Sequence, residues 1–336
     1  MIRFAIVGYG FIGGVHAPVL RKIKGVEIAA IVEQDTAKRQ AVKGNIAVDG
    51  AEEPVLVPFY ASLEEMFEKT KVDVVSICLP THLHREYAVK SLKAGCHVVC
   101  EKPMALTLKE CDEMIVAARA ARRRLFIAQC IRFWPEYEAL EKIVRENRLG
   151  TLLSLHLFRL SGLPDWGGPN AWFFDEQKSG GCLFDLHVHD ADFVHYLLGR
   201  PESVLSRGVS LPNGTNGAVT TTYLFDRDLI CTAEGSWLYC SGFRMGFSAI
   251  FEEGQIEYDS AAAPAMRLWR KGGAEAEIIV PAPGDGYERQ YRYFIECLEQ
   301  NVEPTRMTPE STRQSIEIAL AEKRSMEEGR LISLRE

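Results

Sequence analysis

Residues 4–33 read FAIVGYGFIGGVHAPVLRKIKGVEIAAIVE. A short apolar run, residues 4–7, leads directly into Gly8-x-Gly10-x-x-Gly13. Residues 15–25 then space their apolar positions along one face of a helix and stop on a glycine. Residues 26–32 form a second apolar run, closed by Glu33 twenty positions beyond the third glycine. Strand, glycine turn, helix, strand and acid in this order predict a dinucleotide-binding unit. Gly8 permits the tight turn, Gly10 lets backbone approach a pyrophosphate, and Gly13 lets helix and strand pack closely. The helix start offers free N–H groups and a positive dipole end to the phosphates. Glu33 would accept bonds from the adenosine ribose hydroxyls and repel a 2′-phosphate, which favours NAD over NADP. Lys38 and Arg39 lie close enough behind to accommodate that phosphate, so NADP stays open.

The alternation continues outward. Residues 62–69, 81–95 and 107–123 have helical spacing, whereas 72–79, 96–100 and 125–129 read as buried strands. Strands alternating with helices predict a parallel, doubly wound sheet, whose ligands sit at the carboxyl ends of the strands. Two turns fall on that edge. One holds Pro80, Thr81, His82 and His84, and the other holds Glu101, Lys102 and Pro103. A lysine fixed between a strand end and a proline is placed to meet a ligand.

After residue 150 the pattern changes to strand after strand, in residues 152–160, 202–211, 218–225, 229–240 and 244–253. Turn signals such as Asp226 to Asp228 join them as hairpins. The chain is therefore expected to divide into a dinucleotide-binding domain, residues 1–128, and an α+β domain for substrate and oligomerisation, residues 129–336. The second would carry a large, mostly antiparallel open sheet, one face covered by helices and the other left for a partner subunit.

Composition excludes several classes. A net charge of −7 is spread over 336 residues without a long acidic or basic block. The triplet Arg122-Arg123-Arg124 reads as a helix end, so no nucleic acid is expected. No run of 18 apolar residues occurs, so no membrane span is expected. The first strand begins at residue 2, leaving no room for a signal peptide. Nine scattered cysteines without a Cys-x-x-Cys pair suit a reduced, cytoplasmic protein.

Residues 180–192, GGCLFDLHVHDAD, concentrate acids and histidines. From Cys182 to Gly199 the spacing predicts one regular helix, on which Asp185 and His189 share a face as i and i+4. At ~100° per residue, His187 lies about 200° from Asp185. The three cannot then converge on one ion, so no metal is expected and a metal-dependent hydrolase is disfavoured.

Taken together, residues 7–13, 79–105, 132–137, 179–199 and 292–329 resemble, in order and spacing, the glucose–fructose oxidoreductase / inositol dehydrogenase / MocA family of NAD(P)-dependent oxidoreductases. Glu-Lys-Pro followed by Gly-Gly-x-x-x-Asp-x-x-x-His is the specific part. The resemblance implies hydride transfer between a nicotinamide and a secondary alcohol or ketone of a sugar, inositol or related polyol. It implies that Lys102, Asp185 and His189 form the reaction site, that the peptide before Pro103 is often cis, and that the protein is a homodimer or homotetramer. His84 matches a histidine beside the cofactor. Thr81 stands where asparagine is common, and His187 where glycine is common. The expected cofactor contacts are Gly8, Gly10, Phe11, Ile12, Gly13, Glu33, Pro80, Thr81, His84, Glu101, Lys102 and Trp172. Lys102, Arg132, Asp185, His189 and Tyr287 are expected at the substrate.

In the chemistry this implies, His189 removes the hydroxyl proton as hydride leaves carbon. Asp185 holds a substrate hydroxyl or orients the imidazole, and Lys102 donates to the reacting oxygen. Two alternatives share the fold: a catalytically silent nucleotide-binding sensor, and an NAD-assisted glycoside-cleaving enzyme that returns the hydride it borrows. A pure binder needs none of the three residues.

Overall fold

The computed structural model describes residues 1–35, 57–164 and 171–335. Lys38 and Arg39 lie outside them. The chain forms two compact units, Met1–Ala128 with Tyr287–Glu310, and Gln129–Gly286 with Ser311–Glu336.

In the first unit β1 (Ile2–Val7), α1 (Phe11–Lys22) and β2 (Val26–Val32) follow the opening pattern. They are succeeded by β3 (Phe59–Tyr60), α2 (Leu63–Lys69), β4 (Val74–Ile77), α3 (His84–Lys93), β5 (His97–Glu101), α4 (Leu108–Ala121) and β6 (Leu125–Ala128). The strands pair in parallel in the order β3-β2-β1-β4-β5-β6. The order reverses between β1 and β4, so the ligand crevice of such a sheet lies at their carboxyl ends. Local chemistry sets the helix ends. The Ser62 hydroxyl accepts the Glu65 N–H at 3.2 Å to start α2, and Thr107 does the same for Glu110 at 3.3 Å to start α4. Each such cap contributes about 1 kcal/mol. Most of the helix Gly286–Glu299 belongs to this unit; Phe294 packs on Phe126 of β6 with ring centroids 4.7 Å apart.

The second unit carries α5 (Pro135–Arg145), β7 (Leu152–Leu160), a π-helical turn (Leu183–His187), α6 (Val188–Leu198), β8 (Ser203–Ser210), β9 (Asn216–Leu224), β10 (Ile230–Ser236), β11 (Arg244–Phe251), β12 (Gly254–Asp259), β13 (Met266–Arg270), β14 (Glu277–Ile278) and β15 (Ile332–Ser333). Its sheet runs β14-β13-β12-β11-β7-β10-β9-β8-β15. Every pair is antiparallel except β7–β10, which is parallel. One face buries Leu155, Leu157, Ala233 and Phe247, and the π turn and α6 pack on this sheet. The alternate positions Leu205, Leu224, Ile230 and Ile250 are exposed. This is the α/β plus open-sheet α+β architecture that the strand patterns predict.

Candidate active site

The three glycines of the first turn are needed for three different reasons. Gly8 has φ +88°, and a Cβ there would meet the Cys78 carbonyl oxygen at 2.6 Å. A Cβ on Gly13 would meet the Gly8 carbonyl oxygen at 2.2 Å. At Gly10 a Cβ would meet nothing within 4 Å, so this is the open side of the turn. Gly10 is also the N-cap of α1 and supplies no side-chain cap. The amino end of α1, where the helix dipole is positive, is thus the side open to an anion. Phe11 is exposed and Ile12 half-buried at the same end. The Glu33 carboxylate accepts the N–H groups of Tyr9 and Asp35, both at 2.9 Å, and so fixes the glycine turn to the end of β2. An open glycine, the positive end of a helix and a fixed acid at this end of the sheet fit a dinucleotide.

At the end of β5 the chain passes Glu101, Lys102 and Pro103, and the Lys102–Pro103 peptide is cis. Lys102 is half-buried, whereas its neighbours Glu101 and Pro103 are buried. Glu101 turns inward. One carboxylate oxygen accepts the Lys102 N–H at 3.1 Å, and the other lies 2.9 Å from His16 Nε2, in a buried ion pair. The His84 ring nitrogens lie 2.8 Å from the carbonyl oxygens of Pro103 and Leu79. Two expectations are corrected here. His84 and Glu101 are buried, the first between the Pro103 and Leu79 carbonyls and the second between the Lys102 amide and His16 of α1, so neither stands on the open edge where a direct cofactor contact was expected. Burial, the largest influence, pushes the His84 pKa down against the pull of the two carbonyls. Pro80 is half-buried beside buried Thr81 on the neighbouring turn.

The histidine-rich stretch departs from a regular helix. Residues Leu183–His187 form a π turn, in which the Val188 N–H donates to the Leu183 carbonyl, before α6 begins. The simple i, i+4 relation therefore does not hold across the junction between Asp185 and His189. Asp185 is half-buried on the turn, and His189 is 9% exposed in the first turn of α6. His187 is fully buried; its Nε2 lies 3.3 Å from Glu322 Oε1 and 3.2 Å from the Tyr223 hydroxyl. Tyr223 donates to the same Glu322 oxygen at 2.6 Å. His187 thus belongs to the interior of this unit. The acids that follow are structural as well. Asp190 takes both nitrogens of a fork from Arg159, at 2.9 and 3.0 Å. Asp192 takes a second fork from Arg132, at 2.8 and 2.6 Å.

Residues 2–129 match the family described as an oxidoreductase family with an NAD-binding Rossmann fold, and residues 137–257 match the GFO/IDH/MocA C-terminal domain. The chain belongs to the GFO/IDH/MocA oxidoreductase family. It is 26% identical over 346 residues to the myo-inositol 2-dehydrogenase of Thermotoga maritima, covering 100% of this chain and 99% of that protein. It is 27% identical over 341 residues to a scyllo-inositol 2-dehydrogenase (NADP+) of Bacillus subtilis, covering 98% and 96%. Its fold is shared with the aldose-aldose oxidoreductase from Caulobacter crescentus complexed with glycerol, at TM-score 0.84 and 23% identity, covering 99% of each chain. The protein is accordingly an NAD(P)-dependent oxidoreductase.

Within this member of the GFO/IDH/MocA family the remaining expected residues separate. Arg132, expected at a substrate, is 1% exposed. It is held by Asp192 and by the Ser311 hydroxyl at 3.1 Å, so it anchors α6 instead. Trp172 is half-buried and stacks on Phe173 with centroids 4.0 Å apart. Tyr287 is half-buried, its ring 6.1 Å from that of His16. Sequence reasoning overlooked His16, Tyr291 and Glu322. His16 did leave a trace, as the polar member of the buried stripe Gly13, His16, Ala17 and Leu20 on α1. Among the described residues no three His, Cys, Asp or Glu side chains are grouped to hold a metal ion. A groove of about 800 Å³ lined by Arg119, Arg122, Arg123 and Arg124 lies at the opposite, amino-terminal ends of the strands.

Proposed function

We propose that this protein is a dehydrogenase that interconverts a secondary alcohol and ketone of a sugar, inositol or related polyol. The observation that carries the reading is the placement of Lys102. It stands half-buried at the carboxyl end of β5, in a parallel sheet whose switch point holds the glycine turn. The inositol dehydrogenases among its relatives support the substrate class. Gly8, Gly10, Phe11, Ile12 and Gly13 would hold the pyrophosphate end of the dinucleotide, with Pro80, Thr81 and Trp172 flanking it. Glu33 would meet the adenosine ribose. When bound, NAD(P) supplies the hydride acceptor.

The chain's own residues manage the proton and the charge. His189 takes the proton from the reacting hydroxyl, a task suited to imidazole near neutral pH. Lys102 donates to the oxygen as alkoxide character develops. Asp185 holds a neighbouring hydroxyl or the imidazole. Eight of the nine cysteines are buried and none forms a disulfide, which supports a reducing, cytoplasmic setting. Among the described residues no helix is long and apolar enough to cross a membrane. The sheet face bearing Leu205, Leu224, Ile230 and Ile250 suits a second copy of the chain as its cover, in a dimer or tetramer.

The test is a screen of sugars, inositols and sugar acids with NAD and NADP, following absorbance at about 340 nm, where reduced nicotinamide absorbs. NADH formation on polyols supports the reading. Substrate loss without net NADH would point to borrowed and returned hydride, and no turnover on any class would overturn the proposal.

A further inference from the structure

A charged cluster lies in the interior of the first unit, directly behind the lysine turn. His16, from α1, is fully buried, and Glu101, at the end of β5, is 5% exposed. Their closest atoms are 2.9 Å apart, but the N–H is not aimed along the oxygen, so the contact is mainly one of charge. On its other side His16 Nδ1 lies 2.7 Å from the Tyr291 hydroxyl and 3.5 Å from Cys78 Sγ. Tyr291, fully buried, is in turn 2.7 Å from Ser76 Oγ. Burial alone would push the His16 pKa down; Cys78 and Glu101 outweigh it and raise the value to about 10. The protonated ring is thus favoured beside Glu101, and a cation there lessens the cost of a carboxylate in this interior.

That carboxylate has a second task, since it accepts the backbone N–H of Lys102. The lysine's own main chain is thus tied, through Glu101 and His16, to the helix that starts at the glycine turn. His84 grips the next residue, Pro103, from the other side. We propose that His16, Glu101 and Tyr291 are positioning residues: a buried charge relay that fixes the backbone of Lys102 and so aims its ammonium group at the reacting oxygen. Buried groups tied by hydrogen bonds and by charge at once move little, and a functional group fixed to them is placed more narrowly than a loop alone allows. The inference rests on Lys102 having the role proposed above. Neither the glycine motif nor the reaction chemistry itself requires a charged pair at this depth.

The experiment is hydrogen–deuterium exchange on the full chain with NAD bound, comparing wild type with His16→Ala, Glu101→Gln and Tyr291→Phe. Labelling of Lys102 by acetic anhydride is measured in the same samples by peptide mass spectrometry. Loss of the relay should speed exchange of the Lys102 amide about tenfold, as for one lost buried hydrogen bond. The acetylation rate of Lys102 should change as well, while that of Lys109 and the exchange of β2 and α4 stay at wild-type values. Tyr291→Phe, which removes only a hydroxyl, should give the same pattern more weakly and covers the case in which the other two variants misfold. Unchanged exchange and labelling at Lys102, or acceleration spread evenly over the unit, would overturn the proposal. Activity of Lys102→Ala in the polyol screen separates the premise from the inference. Full activity there refutes the catalytic role of the lysine, whereas the exchange pattern alone decides the relay.

Discussion

The turn that carries Lys102 and the helix that carries His189 are held by different means. At the turn, two buried histidines act on the main chain: His84 sits against two carbonyls, and His16 acts through Glu101 on the Lys102 amide. At α6, the anchors are the helix's own side chains, Asp190 and Asp192, each locked in an arginine fork. The first device fixes a backbone, which a turn lacking regular hydrogen bonds needs. The second fixes a whole helix, whose backbone is already satisfied, by pinning its buried side. The density of acids in residues 185–192 therefore reports mainly on anchoring. His187, Asp190 and Asp192 are interior partners, and only Asp185 and His189 are left in candidate roles.

The largest effect expected from either region is on turnover. Lys102→Ala and His189→Ala should each lower kcat by about 10²–10⁴-fold while leaving NAD affinity and folding intact. Steady-state kinetics with fluorescence titration of NAD checks this, and a loss below tenfold would remove that residue from the mechanism.

Next come the anchors, where stability and not chemistry should suffer. Asp190→Ala and Asp192→Ala each leave a buried guanidinium without its carboxylate, at a cost of about 3–5 kcal/mol. Urea unfolding would show it. If either variant unfolds like wild type, the forks do not anchor the helix. His187→Ala lies between the two regimes. It strips a partner from buried Glu322 and should cost about 1–3 kcal/mol, with far less loss of turnover than His189→Ala. Equal loss of turnover in the two folded variants would put His187 back at the reaction site.

A subtler contrast concerns pH and two histidines of the first unit. His16 is raised to about 10, because Cys78 and Glu101 outweigh its burial. The folded state thus binds more protons than the unfolded between pH 6.5 and 10, and stability falls as pH rises through that window. His97 is lowered to about 4 by burial, with Arg123 and Arg124 adding to it. Its stability contribution is present above pH 6.5 and is lost as pH falls towards 4. Melting temperature against pH should therefore lose part of its alkaline slope in His16→Gln and part of its acid slope in His97→Gln. The opposite assignment would show that these histidines are not charged as described. The smallest effect is expected at Glu33. Its replacement by Gln should shift the relative affinity towards NADP by about 1 kcal/mol, as read from the ratio of the NAD and NADP dissociation constants.

Much of the molecule is legible in its sequence. The period of the apolar positions, the three glycines and Glu33 determined a strand–turn–helix–strand unit, because each constraint is local and acts within a few residues. Alternating strands after residue 150 likewise determined an open sheet of hairpins. What the sequence could not determine was which polar residues face inward. Arg132, His84 and Glu101 look like site residues because their types and neighbours do, yet their partners are Asp192, the Leu79 and Pro103 carbonyls, and His16. Three of these four pairings span more than fifteen positions, and no periodicity reports them. The π turn at Leu183–His187 was equally hidden, since the wider i→i+5 bonding changes neither the residue types nor the apolar spacing from which a helix is read. Sequence alone determined the elements and the residue types at their ends. Tertiary structure decided which of those side chains are partners of one another, because burial obliges every charge to find a counter-charge wherever the fold brings one close.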